Sequence, residues 1–518
     1  MIKNIYEILT KTIAALVIVL GLNSCLEKIP GDAFPYEQSM KTFTDAEQTL
    51  TGIYSAYMSG ALYSGYLTLL PDIQADLVHA VQGNSNTYGN VWQWDIRPTN
   101  SEITAVYAAL YKVIGRCNFY LDKVGALRES LTDDDEITYL DYYTGEVYCA
   151  RANAYAELIK CFCEAYDPAT AGQQLGVALD STFFGKKPQQ RSSLKKSYEF
   201  VIRDLKKSEE LLSDIPESYT YPYVNQSAAQ SVLARVYLYM KDGEKAVEYA
   251  TKVIEKKNEG ASGTVYSLST SSVYTQGTDP VTQAMRTFTY VDYMWTHDLA
   301  TEIIWQIGFQ PTSYGGALGQ VFLNYNNDYI YFYPDYMPST WAVNLFKGSD
   351  ARRNAYFRTD VTGYPGTPQI TMLFKYFGNY GTFIPNKIYH VSQPKPIRLA
   401  EIYLIRAEGH CLNGNYGQAN SDLQTLRKAR NSTVASVNAQ NWIDVISDER
   451  AKELYMEGFR LNDLKRWGKG FERTSQAYAQ KEGSTLKKDP STDYRFVWPI
   501  PQHEIEAPGS MIQQNKGY

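Results

Sequence analysis

Apolar positions recur at helical spacing through most of the chain. Ala46, Leu50, Ile53, Tyr54 and Tyr57 form one stripe, which predicts a helix over 45–58 with Thr44 and Glu47 as its capping box. Ile103, Val106, Tyr107, Leu110, Ile114, Cys117 and Leu121 predict another over 103–121. Val147, Ala150, Ala154, Leu158 and Cys161 predict a third over 146–163, and Tyr198, Val201, Ile202, Leu205 and Leu212 extend the series. The most informative stretch is SAAQSVLARVYLYMKDGEKAVEYATKVIE (227–255). Its first stripe is Ala229, Val232, Leu233, Val236, Tyr237 and Met240, and Lys241 to Glu244 make the turn. Val247, Ala250 and Ile254 follow on a second helix. Small residues at 229, 246 and 250 allow the two helices to approach closely, as in a tetratricopeptide hairpin. A second copy lies at 397–430: Ala400, Tyr403, Leu404, Ala407 and Cys411, a turn at Asn413-Gly414-Asn415, then Ala419, Leu423 and Leu426. The copies are about 170 residues apart, so the array is interrupted. The expected fold is mainly α: interrupted tetratricopeptide-like helical hairpins.

Helical periodicity fades over 261–395, where Gly, Pro, Ser and Asn rise. Aromatic residues number 27 in these 135 positions, against 14% in the whole chain. Glu302 to Ile307 reads as a short strand, and NNDYIYFYPDYMPSTW (326–341) as a long aromatic loop. Long loops on a regular scaffold are more often functional than idle. The segment 447–470 (SDERAKELYMEGFRLNDLKRWGKG) restores helical character, with acidic residues at its start. The prolines of VWPIPQHEIEAPGS (497–510) predict an extended strap.

Charge adds little direction. The chain has 50 basic and 56 acidic residues and a net charge of -6, with no clustered basic face to suit nucleic acid. The one long apolar run, 12–22 (TIAALVIVLGL), is too short to span a bilayer, which takes about 20 residues. Lys3 and Lys11 precede it and Gly21, Asn23 and Ser24 follow, the order of a secretory signal. Leu22-Asn23-Ser24-Cys25 resembles the lipobox of bacterial lipoproteins, in which Cys25 becomes the lipidated first residue of the mature chain. The other five cysteines, Cys117, Cys149, Cys161, Cys163 and Cys411, read as buried thiols, and no Cys/His spacing suits zinc.

Glu449, Glu453 and Glu457 fall at i, i+4 and i+8 with Arg460 beyond them. Carboxylates that hydrolyse glycosides must flank a cleft, whereas three along one helix read as an ion network with Arg460, Lys465 or Arg466. No Gly-x-Ser-x-Gly or phosphate-loop pattern occurs, the histidines lack metal spacing, and the Asp and Asn residues show no EF-hand-like order. No catalytic site, cofactor or metal is therefore expected.

Taken together, the lipobox at Cys25, TDAEQTLTGIYSAY (44–57), IRLAEIYLIRAEGHCLNGN (397–415), GFRLNDLKRWGKG (458–470) and the terminal WPIPQHEI (498–505) resemble the SusD/RagB family. These are outer-membrane nutrient-binding lipoproteins of Bacteroidetes, and the resemblance covers nearly the whole mature chain. RKARN (427–431) departs slightly from the family's usual run. The resemblance implies four tetratricopeptide-like hairpins in an α-α superhelix, with an irregular, aromatic-rich loop and short-strand ligand-binding region. It further implies a non-catalytic, lipid-anchored, surface-exposed protein that captures an oligosaccharide for a SusC-like TonB-dependent transporter. The implied organisation is a signal at 1–24, a lipidated N-terminus and tether at 25–43 and an N-terminal helical region at 44–260. The aromatic insertion occupies 261–395 and a C-terminal region 396–518.

Sugar rings present apolar C–H faces and polar edges, so an indole or phenol covers the face while amides and charges bond the hydroxyls. YGNVWQWDIRPTN (88–100) offers Trp92, Trp94 and Asn100, the two indoles alternating as on one face of a strand. TYVDYMWTHD (289–298) offers Tyr290 and Trp295, and the long loop offers Tyr336 and Trp341. These seven residues are the expected ligand contacts, whereas Trp305 and Trp467 are expected in the core. Two other readings remain at this stage: a peptide or other nutrient as cargo, favoured by a charged groove, and a structural helical-repeat adaptor, favoured if the insertion's aromatics are all buried.

Overall fold

The computed structural model describes residues 36–518 except 185–189, 327, 329 and 434. The signal, Cys25 and the tether to Pro35 lie outside the described residues. Helix α1 (Phe43–Tyr57) starts two positions earlier than the stripe suggests. Its capping box is Thr42 with Asp45, not Thr44 with Glu47: the Asp45 carboxylate accepts from the Thr42 N–H at 2.9 Å and Thr42 Oγ1 from the Asp45 N–H at 3.2 Å. Helix α2 (Tyr66–Gln74) and strand β1 (Val78–Ala80) follow. Helices α3 (Ser101–Ser130) and α4 (Asp134–Phe162) then pack as an antiparallel pair, and α5 (Leu194–Leu211) lies against α4.

The first predicted hairpin is α6 (Gln226–Tyr239) and α7 (Gly243–Ile254). Strands β2 (Val273–Thr278) and β3 (Met285–Thr289) make an exposed ribbon leading into α8 (Tyr290–Thr296). Next come β4 (Ile303–Trp305), β5 (Tyr336–Pro338), the short helices α9 (Thr340–Asn344) and α10 (Ala351–Tyr356), and the ribbon β6 (Phe357–Val361) with β7 (Gln369–Leu373). Strand β8 (Ile397–Arg398) opens the second hairpin, α11 (Leu399–Leu412) and α12 (Tyr416–Arg430). The chain ends with α13 (Trp442–Glu453), α14 (Arg460–Trp467), the ribbon β9 (Phe471–Arg473) with β10 (Leu486–Lys488), and a largely irregular strap.

Although the two hairpins are far apart in sequence, α7 packs directly on α11. The array is interrupted along the chain but continuous in space. The junction is close on both sides: a Cβ at Gly243 would stand 2.8 Å from the Gly409 carbonyl oxygen, nearer than a side chain tolerates, and one at Gly409 would make a tight 3.1 Å contact with that of Gly243. The insertion loops out and returns, tied by β4 pairing with β8 and by β5 pairing with β1.

The expected ion network exists, with other partners. Helix α13 stops at Glu453, so Glu457 sits in the bend before α14 and the three carboxylates do not share one helix. Glu453 meets Arg352, Arg398 and Arg430, Glu449 meets Arg352 and Lys452, and Glu457 meets Lys375 and Arg398. Burial works to raise the Glu449 carboxyl, but Arg352 and Lys452 outweigh it and hold it at about 2. Arg352 and Lys375 come from the insertion, so the network clamps insertion to frame. Arg460 and Arg466 serve elsewhere, on Asp76 and on Glu408 and Asp463, and Lys465 donates to the carbonyls of Lys160 and Cys163. Cys117, Cys149, Cys161, Cys163 and Cys411 are free and buried, as expected. Trp305 is in the core, whereas Trp467 is only half-buried and donates from Nε1 to Glu408. Among the described residues no helix is long and apolar enough to cross a membrane.

A cleft built around one exposed tryptophan

Strand β1 organises the site. On one edge it pairs antiparallel with β5, His79 opposite Met337. On the other edge it takes the segment after β9, through the Val81–Ala479 bridge and the bond from the Gln480 N–H to the Ala80 carbonyl at 2.9 Å. Three distant stretches thus meet around a cleft of about 430 Å³. Asp76 and His79 form one wall, Ser339 to Asn344 a second, and Glu472 to Ala477 the third. Gln476 staples two walls together: its Oε1 accepts from the Thr340 N–H at 2.8 Å and its Nε2 donates to the Pro338 carbonyl at 3.2 Å.

Trp341 stands on the second wall, 39% exposed. The guanidinium of Arg460 lies 5.0 Å from its ring centre. Arg460 also grips Asp76 with both arms, Nε to Oδ1 and Nη2 to Oδ2 at 2.8 Å each, and reaches Ser447 Oγ at 2.8 Å. One buried arginine therefore fixes both the ring and the adjacent carboxylate. Arg460 is placed in turn by Asp72, whose carboxylate accepts the N–H groups of Gly458 and Arg460 at 3.0 and 2.8 Å. Burial pushes the His79 imidazole down to about 4, helped by Arg473, so it is neutral at ordinary pH.

The expected contact residues divide sharply. Trp341 lines the cleft. Trp92 does not: it is 0% exposed, beneath the guanidinium of Arg473 at 5.1 Å and against Gly483. Trp94 is buried between Phe471 and Phe496 and donates from Nε1 to the Gln74 carbonyl at 2.6 Å. This segment, expected as a loop or strand, instead holds one turn of helix at Gly89–Trp92, and Trp94 has φ 65. Tyr336 is buried in β5, its hydroxyl donating to the Thr87 carbonyl at 2.6 Å. Asn100 caps α3, accepting the Ile103 N–H at 3.0 Å. Trp295 is buried under Lys375, whose Nζ lies 3.9 Å from its ring. The cavity beside it, about 30 Å³, has room for a water and not for a sugar. Tyr290 is 43% exposed but packs edge-on to Tyr274 and does not line the cleft. Thus Trp92 and Tyr336 support the site from below, Trp341 faces outward, and the other expected contacts lie elsewhere.

Sequence reading missed Asp76, His79, Arg460 and the Glu472–Gln476 wall. These are ordinary polar residues, brought to the ring by long-range contacts: strand pairing around β1 and β5 for His79 and the Glu472–Gln476 wall, and the Asp72 and Asp76 carboxylates for Arg460. Other openings are less suited to a ring ligand. The one between β3 and α10, about 690 Å³, has Phe357 buried and Phe374 half-buried under Arg358 at 4.9 Å. Another near the C-terminus, about 450 Å³, has Tyr494 met edge-on by Tyr518 at 4.7 Å.

A helical-repeat scaffold that presents a polar cleft with one exposed indole suits non-covalent binding of a ligand. Comparison with known proteins agrees with this. A model described as the SusD family matches residues 363–518, and one described as "Starch-binding associating with outer membrane" matches 32–238. The SusD-like protein P38 of Formosa agariphila is 24% identical over 558 aligned positions, covering 97% of this chain and 98% of that protein. The starch-binding protein SusD of Bacteroides thetaiotaomicron is 37% identical over 123 residues, 23% of this chain and 21% of that protein. The crystal structure of a putative sugar binding protein from Bacteroides vulgatus superposes with a TM-score of 0.73 at 27% identity, over 93% of this chain and 100% of that one. The chain belongs to the SusD family.

Proposed function

We propose that the protein is a non-catalytic glycan receptor of the outer membrane, lipid-anchored through Cys25 and exposed at the cell surface. It captures oligosaccharide in the Trp341 cleft and delivers it to a SusC-like TonB-dependent transporter. The observation that carries this reading is the Trp341 ring, exposed yet held by Arg460 beside hydroxyl and amide side chains. An indole in that setting covers the apolar face of a pyranose while its neighbours bond the edge hydroxyls. The family membership and the names of the starch- and sugar-binding relatives support the ligand class.

Titration calorimetry of the mature protein against an oligosaccharide panel tests the ligand class. At least one saccharide binds, and Trp341→Ala weakens it about tenfold or more, the scale of a lost aromatic contact. Silence across the panel, with peptides binding instead, would sink the glycan reading. Cys25→Ser is expected to leave binding intact and to move the protein out of the membrane fraction; retention there would refute the anchor.

Peptide cargo has one specific observation behind it. The opening between β3 and α10 is lined by Arg286, Arg358, Asp279 and Asp292, a charged groove of the kind a peptide would use. Binding of peptides that survives Trp341→Ala would favour it.

A further inference from the structure

The charges around the Trp341 cleft narrow the ligand further, and this inference rests on the glycan reading above. Among the described lining residues, two side chains can carry positive charge: Arg473 and His79. Neither is available. Arg473 is 2% exposed and gives all its donors to backbone: Nε to Ala75, Nη1 to Trp92 and Gly483, Nη2 to Ile73 and Gln74. His79 is just as buried, and its imidazole is neutral. The next cation, Arg460, is committed to Asp76 and Ser447.

The acidic side is different. Asp76 is neutralised by Arg460, but Glu472 is exposed on the third wall and makes no ion pair among the described residues. Lys487 stands opposite it across the β9–β10 ribbon, yet does not line the cleft. The remaining rim beside Trp341 is exposed hydroxyl and amide: Thr340, Asn344, Thr474 and Ser475. A carboxylate or sulfate on a sugar requires charge-assisted donors, most often an arginine fork. Among the lining residues it would meet no free cation and one free carboxylate, whereas the hydroxyls of an uncharged sugar would find acceptors, donors and a ring.

We propose that the cleft takes neutral oligosaccharides and discriminates against acidic ones, uronate-bearing or sulfated, and that Glu472 determines this specificity. An exposed carboxylate accepts hydrogen bonds from sugar hydroxyls and repels an anionic substituent at the same position.

Calorimetry with size-matched neutral, uronate-bearing and sulfated oligosaccharides, at low and high ionic strength, tests this on the whole mature protein. Neutral chains bind, and acidic ones bind about tenfold or more weakly at low salt. The gap narrows as salt screens the repulsion. Glu472→Lys closes or inverts the gap, and Glu472→Gln narrows it with the thermal midpoint little changed, because the side chain is exposed. The inference is overturned if acidic chains bind as tightly as neutral ones to the unaltered protein, or if Glu472→Lys leaves the gap unchanged. Silence toward every saccharide would overturn the glycan reading with it, so the two failures are told apart by whether anything binds.

Discussion

Two aromatic segments look alike on paper and end in opposite places. Residues 88–100 and 326–341 both mix indole or phenol rings with Asn, Asp and Pro. In the first, Trp92 is sealed on one side by Arg473 and on another by Gly483, and Trp94 by Phe471 and Phe496. All four of those partners lie near the C-terminus. In the second, Trp341 meets Arg460 and is left 39% exposed. What separates them is long-range: the chain after α14 folds over the first segment and stops at the edge of the second. The same stretch that buries Trp92 supplies the third wall of the cleft, so one segment both covers an aromatic floor and frames the aromatic rim.

Three substitutions press on this contrast. The largest expected effect is Trp92→Ala, which removes a fully buried indole and should cost about 3–5 kcal/mol of unfolding free energy. Urea titration measures it; a loss near zero would mean the ring is not the floor described. Gly483→Ala comes next. A Cβ there would lie 2.7 Å from the Trp92 ring, and the backbone has φ +79, so a loss of about 1–3 kcal/mol is expected in the same experiment. The smallest is Trp341→Ala, expected to change stability by less than about 1 kcal/mol while abolishing most of the affinity. If it destabilised as much as Trp92→Ala, the distinction between floor and rim would collapse.

Much of the frame was legible in the sequence, because helical hairpins are written in local periodicity. The stripes at 227–255 and 397–430 became α6–α7 and α11–α12, and Trp305, inside an apolar strand, is core. The continuity of the array across the insertion was not legible, since the Gly243–Gly409 contact joins helices with the whole insertion between them. The acidic spacing at 449, 453 and 457 pointed to an ion network but not to Arg352, Arg398 and Arg430, whose pairing depends on how insertion and frame dock. The site was the least legible part. Burial of a tryptophan in a polar loop is decided by whatever later segment lies on it, and neither Trp92 nor Trp341 carries that information locally.

The central claim is that ligand is held on the Trp341 rim and not on the rings that share its sequence signature. A crystal structure of the mature protein with the tightest oligosaccharide of the panel tests it most directly. The account predicts a pyranose against the exposed part of the Trp341 ring, with hydroxyls bonded from the Thr340–Asn344 and Glu472–Gln476 walls. A ligand seated instead between β3 and α10, or one that displaces Gly483 to reach Trp92, would contradict it.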